Sequence, residues 1–187
     1  NASLVLPISK SIIRGAAFLK RTKPVRYNPF SAIISFFTIL ETRYKSLYLL
    51  GGHKNTLIES ERNLKATFPG LHIVGRYTGY FPKDMEKDVL SAIFKANPSM
   101  VLLADGIPSG VTWSYARRNS FGSSIFVYYK DALSIFSKRK KRVSNETFDA
   151  GREIWSEIAA NPLKIFLVFP YIWYILLLIK DRLSSEN

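Results

Sequence analysis

Four short apolar runs, at residues 47–50, 71–74, 100–103 and 125–128, punctuate the middle of this chain. Each is bounded by turn-forming or charged residues, the pattern of a strand buried on both faces. Between them lie stretches of helical period. Residues 56–67 place Leu57, Ile58 and Leu64 on or near one face, and Pro69-Gly70 ends that run. Asp84 is placed to cap a helix reaching about Ala96, which Asn97-Pro98 stops. Strands that alternate with helices of this length predict an α/β fold, a Rossmann-like and mostly parallel sheet with helices on both faces. Ligands in such folds bind outside the carboxyl ends of the strands. Gly51, residues 75–81 and residues 105–108 fall there. Upstream, Leu4-Val5-Leu6 reads as a short buried strand closed by Pro7, residues 8–19 as a helix, and residues 31–42 as a strongly apolar helix.

The pattern changes after residue 136. Lys138, Arg139, Lys140, Lys141 and Arg142 form an unbroken basic run. A helix is predicted over 146–160. Residues 165–179 then carry no charge at all, between Lys164 and Lys180 and interrupted by Pro170. That run is about 22 Å long as a helix, short of the roughly 20 residues needed to cross a bilayer core. Tyr171, Trp173 and Tyr174 within it are headgroup-level residues. The run is therefore expected to be an interfacial anchor at an anionic membrane surface, with the basic residues attracted to the same leaflet. A buried helix or a homo-oligomer contact is the competing expectation for the tail, and a solvated loop for the basic run. The predicted division is an α/β domain over 1–136 and a helical, membrane-associating appendage over 137–187.

Charge sharpens this picture. The chain of 187 residues has a formal net charge of +13, with 47% hydrophobic residues. An anionic partner follows: lipid, nucleic acid or a phosphorylated small molecule. Nucleic acid is disfavoured, because the aromatics sit in apolar runs and not between the basic residues, and no nucleic-acid-binding signature is present. The absence of cysteine excludes disulfides, thiolate metal sites and a cysteine nucleophile. Two separated histidines, His53 and His72, make no metal cluster. No cofactor is called for, and the lack of an aspartate cluster leaves no metal site to predict. The first residues do not read as a signal peptide, and the missing initiator Met suggests a fragment.

The chemistry concentrates at Tyr48-Leu49-Leu50-Gly51-Gly52. A strand that turns on glycine into a helix N-terminus offers backbone N–H groups and the helix dipole to an anion. Thr56 and Glu59 have the spacing of a capping box for that helix. A tight turn with no ligand is the alternative. Asp105 ends another strand and is a candidate proton acceptor, or else a turn residue before Gly106.

These residues together resemble the WecG/TagA/CpsF family of glycosyltransferases. The likeness runs through Tyr48 to Gly52, through Phe68-Pro69-Gly70-Leu71-His72-Ile73-Val74-Gly75, and through Gly79-Tyr80-Phe81. Gly106, Pro108 and Trp113 fit the family's G-x-P-x-Q-E-x-W. Lys141-Arg142 resembles its basic pair, and Gly151 with Glu153 its Gly-x-Glu-Trp, with Trp155 displaced by one place. Asn161-Pro162 resembles the start of its membrane-binding appendage. The resemblance implies transfer of an N-acetylmannosamine-type sugar from a UDP-sugar donor to a lipid-linked saccharide acceptor, in cell-envelope polysaccharide synthesis at the cytoplasmic membrane face. It implies substrate-binding roles for Arg26, Gly51, Gly52, Gly79, Tyr80, Phe81, Gly106, Pro108, Trp113, Arg142 and Glu153, and membrane roles for Lys138 to Lys141 and Trp173. The chain departs from the family at Ile8, where the family has its proposed catalytic Asp, and at Gly110-Val111, where it has Gln-Glu. The alternative implied is a catalytically inactive member serving as a membrane-bound binding or scaffold subunit.

Overall fold

The computed structural model describes residues 3–108 and 110–184. Two compact units emerge, one formed by Phe30–Arg142 and one by Val5–Pro29 with the chain from Val143 onward.

The first unit is built on four strands: β1 (Ser46–Leu50), β2 (His72–Tyr77), β3 (Met100–Leu103) and β4 (Ile125–Tyr128). All neighbours are parallel, in the order β2-β1-β3-β4. The two-residue period of the strands divides two cores. Leu47, Leu49, Met100 and Leu102 face one side, where they meet Ile33 and Phe37 of an apolar helix (Pro29–Thr42) and Leu57 and Leu64 of the helix after β1 (Lys54–Thr67). Tyr48, Leu50, Val101 and Leu103 face the other, against Val89 and Ile93 of the helix before β3 (Glu86–Ala96) and Trp113 of a short helix (Gly110–Ala116). Helices therefore cover both faces, as expected.

The local differences have physical causes. Residues 4–6 form no strand, and Leu4 and Val5 are 72% and 76% exposed. Pro7 lacks an N–H and closes the run before a ladder can form. The helix after β1 begins at Lys54, three residues earlier than a capping box with Thr56 as its cap requires. His53 precedes it without a side-chain cap, Thr56 is buried within it, and Glu59 pairs with Arg139 at 3.2 Å. A 3-10 turn (Lys83–Met85) replaces the expected Asp84 cap. β2 runs past Gly75, whose missing side chain admits the Tyr48 ring of β1.

The second unit holds helices at Lys10–Phe18, Asn145–Ala150, Glu153–Ala160 and Val168–Ser184. The single helix expected over 146–160 is broken at Gly151, which adopts a left-handed φ of 71°. The tail is longer than its uncharged core suggests. A helical run from Pro162 to Ser184 spans 23 residues, with a mean hydropathy of 2.0 in its most apolar window and no burial there. By length and composition it is sufficient to cross a membrane. Pro170 sits just after the point where the 3-10 segment (Pro162–Leu167) passes into the α-helix that begins at Val168. Tyr174 of this helix lies against Gly15, and its Oη donates to the Ser11 carbonyl at 3.3 Å.

Candidate active site

The strand order reverses at β1. The chain moves from β1 outward to β2, then returns to the other side of β1 with β3. The carboxyl ends of β1 and β3 flank that reversal, the position where parallel α/β sheets hold a ligand crevice. Gly51 and Gly52 follow β1, Gly79 and Tyr80 follow β2, and Asp105 and Gly106 follow β3.

Backbone hydrogen bonds lace these three loops together. Gly51 N–H donates to the Tyr77 carbonyl at 3.0 Å, and Gly52 N–H to the Asp105 carbonyl at 2.8 Å. Gly79 N–H donates to Gly52, and Tyr80 N–H to Gly106, both at 2.9 Å. A Cβ on Gly79 would lie 2.6 Å from the Asp105 carbonyl oxygen, so only glycine permits this approach. The two N–H groups read from the sequence as anion donors are thus engaged in the lacing. The donors left toward the crevice are those of the first helical turn from Lys54, which have no intrahelical acceptor.

One side-chain cluster stands in this crevice. Tyr80 has a left-handed φ of 49° and is 58% exposed. Its ring stacks on His53, with centroids 4.5 Å apart and planes 9° from parallel. Its Oη donates to Asp105 Oδ2 at 3.2 Å. Desolvation, then the charge and hydrogen bond of Asp105, hold the Tyr80 pKa above the ordinary tyrosine value. Asp105 Oδ1 is buried and has no hydrogen-bond partner among the described residues. Asp105 is thus tied to the neighbouring loop, and among the described residues its side chain makes no bond to its own turn. His53 was not anticipated here. Its position directly after Gly51-Gly52 was the available signal.

The other expected site residues divide. Phe81 packs beside the second core, and Trp113, 7% exposed, lies inside it. Trp113 Nε1 donates to Glu86 Oε1 at 2.6 Å, and Arg117 Nε meets the same oxygen at 2.6 Å. Arg117 is the main cause of the lowered Glu86 pKa. Pro108 is exposed beyond Gly106. In the second unit, Arg26 and Glu153 meet each other. The Arg26 guanidinium also donates to the Phe148 and Ile8 carbonyls and lies 3.7 Å from the Phe148 ring centroid. Its side chain is only 14% exposed, so these internal partners occupy it. Arg142 is exposed and stands 5.0 Å from the Phe30 ring centroid. Within the basic run, Arg139 pairs with Glu59 and Lys140 with Asp131, while Lys138 and Lys141 are exposed.

The chain is 22% identical, over 187 residues, to an N-acetylglucosaminyldiphosphoundecaprenol N-acetyl-beta-D-mannosaminyltransferase of Bacillus spizizenii, an alignment covering 100% of this chain and 72% of the relative. A protein of the same name from Bacillus subtilis (strain 168) is 19% identical with the same coverage. The model of the glycosyl transferase family WecG/TagA/CpsF matches residues 1–187. The match of that family model across residues 1–187 makes this chain a member of the WecG/TagA/CpsF glycosyltransferase family.

Proposed function

We propose that the chain transfers an N-acetylmannosamine-type sugar from a UDP donor to a saccharide carried on a polyprenyl diphosphate, as the names of its relatives describe for them. The supporting observation is the reversal of strand order between β1 and β3, with the first turn of a helix beginning just after β1. UDP would place its diphosphate against that turn, and Arg142 is the exposed cation assigned to neutralise it. Arg26, held by Glu153 and Phe148, is assigned a structural role. The acceptor is lipid-linked, so the enzyme works at a membrane, and we place it at the cytoplasmic face. The apolar helix Val168–Ser184 makes the contact, aided by Lys138 and Lys141.

Calorimetry with UDP tests the donor site. Micromolar binding that weakens about tenfold in Arg142→Ala, but stays near the wild-type value in Arg26→Ala, is the expected result. No binding by the wild type would remove the donor-site reading. A second reading, a member that binds without turnover, is favoured by Ile8, which cannot accept a proton where the family has Asp. It predicts UDP binding and no transfer.

A further inference from the structure

The Ile8 departure leaves transfer without its usual proton acceptor, and the crevice contains another carboxylate. We infer that Tyr80 and Asp105 form a proton relay that serves as the general base, an inference that rests on the transferase reading above. Tyr80 Oη already donates to Asp105 Oδ2 at 3.2 Å. Asp105 Oδ1 is buried without a partner, so Tyr80 is the one side chain hydrogen-bonded to this carboxylate among the described residues. A buried polar atom left without a partner calls for an explanation, and a catalytic role is one such explanation.

The backbone geometry agrees. A non-glycine residue in the left-handed region persists only where its surroundings enforce it, and such strain gathers at functional sites. Tyr80 is enforced from three directions: its N–H on the Gly106 carbonyl, its ring on His53, and its hydroxyl on Asp105. The strain delivers an exposed phenol to the crevice with a carboxylate directly behind it.

The step balances. The acceptor hydroxyl gives its proton to Tyr80 Oη as Tyr80 gives its own proton to Asp105 Oδ2. The acceptor oxygen bonds to the anomeric carbon of the donor sugar. The bond from that carbon to the diphosphate oxygen breaks, and its electron pair leaves on UDP. Asp105 ends protonated and returns the proton through Tyr80 to solvent.

The test compares wild type, Asp105→Asn and Tyr80→Phe in sugar transfer from a UDP-N-acetylhexosamine to a polyprenyl-diphosphate-linked N-acetylglucosamine, with UDP affinity measured in parallel. A general base contributes roughly 10²- to 10⁴-fold. Both variants are expected to lose kcat on that scale with UDP affinity within about threefold of wild type, and the acid limb of the wild-type pH profile should vanish in Asp105→Asn. Tyr80→Phe keeps the ring stacked on His53, so it tests the hydroxyl alone. Undiminished kcat in both variants overturns the relay while leaving the transferase reading intact. A fall in kcat matched by the fall in UDP affinity, with an unchanged pH profile, also overturns it, because Asp105 would then only hold the loops. Absence of transfer by the wild type overturns both readings together.

Discussion

Gly110 begins its short helix hard against the ring of Tyr128. A Cβ there would lie 2.5 Å from one ring carbon and 2.6 Å from the next. The family resemblance puts Gln at this position, and a Gln side chain here would meet that ring. Gly110→Gln alone should cost about 1–3 kcal/mol through overpacking, measured by urea unfolding. In a Tyr128→Ala background the penalty should shrink, and a double-mutant cycle would report the coupling. Additive effects would show that the ring simply swings aside. The same scale explains why the roles of Arg26 and Trp113 could not be read from their sequence matches. A motif specifies a residue type, but the partners that occupy the side chain come from distant segments: Glu153 and Phe148 for Arg26, Glu86 for Trp113.

Glu86, the first residue of the helix before β3, connects that helix to the next through Trp113 and Arg117. Its pKa is lowered, chiefly by the Arg117 hydrogen bond. A carboxylate with a lowered folded pKa stabilises the fold above its ordinary value near 4.5, and that contribution fades as pH falls through the lowered pKa. Thermal melts of wild type should therefore lose stability over this acidic range, and Glu86→Gln should flatten that part of the curve. An unchanged acid slope would show that other carboxylates dominate. The strands around this link were legible because four or five consecutive apolar residues between turn signals have few alternatives; β3 and β4 fall where the pattern puts them. The helices Gly110–Ala116 and Ala132–Phe136 were not legible, since five to seven residues are too few to establish a period. The break at Gly151 was also missed, because an apolar face continued past it. The grouping of these loops at the strand ends could be anticipated, but their lacing could not, since those bonds join loops remote in sequence.

For the whole molecule, the decisive contrast lies between a strongly cationic chain and a long apolar helix with no buried residue. Trp173, 64% exposed, is near the middle of the run from Pro162 to Ser184, with Tyr171 and Tyr174 beside it. In a helix crossing the bilayer these aromatics would fall near the hydrocarbon centre, whereas they favour its two boundaries. A helix lying along the interface can keep Trp173 at the favoured depth. Vesicles containing anionic lipid should therefore shift Trp173 emission to the blue. Binding should weaken as salt rises, by screening of about 1 kcal/mol per engaged Lys or Arg. Quenchers placed shallowly in the bilayer should outperform deep ones; the reverse ranking would favour a spanning helix. The laced loops carry a different consequence, for the order of assembly. Gly52 cannot reach the Asp105 carbonyl until β3 has docked beside β1, a pairing of segments far apart in sequence. A chain stalled with only β1 and β2 paired would have two sound strands and no crevice. Nucleotide would then bind only molecules that have completed the sheet, drawing the population toward them by mass action.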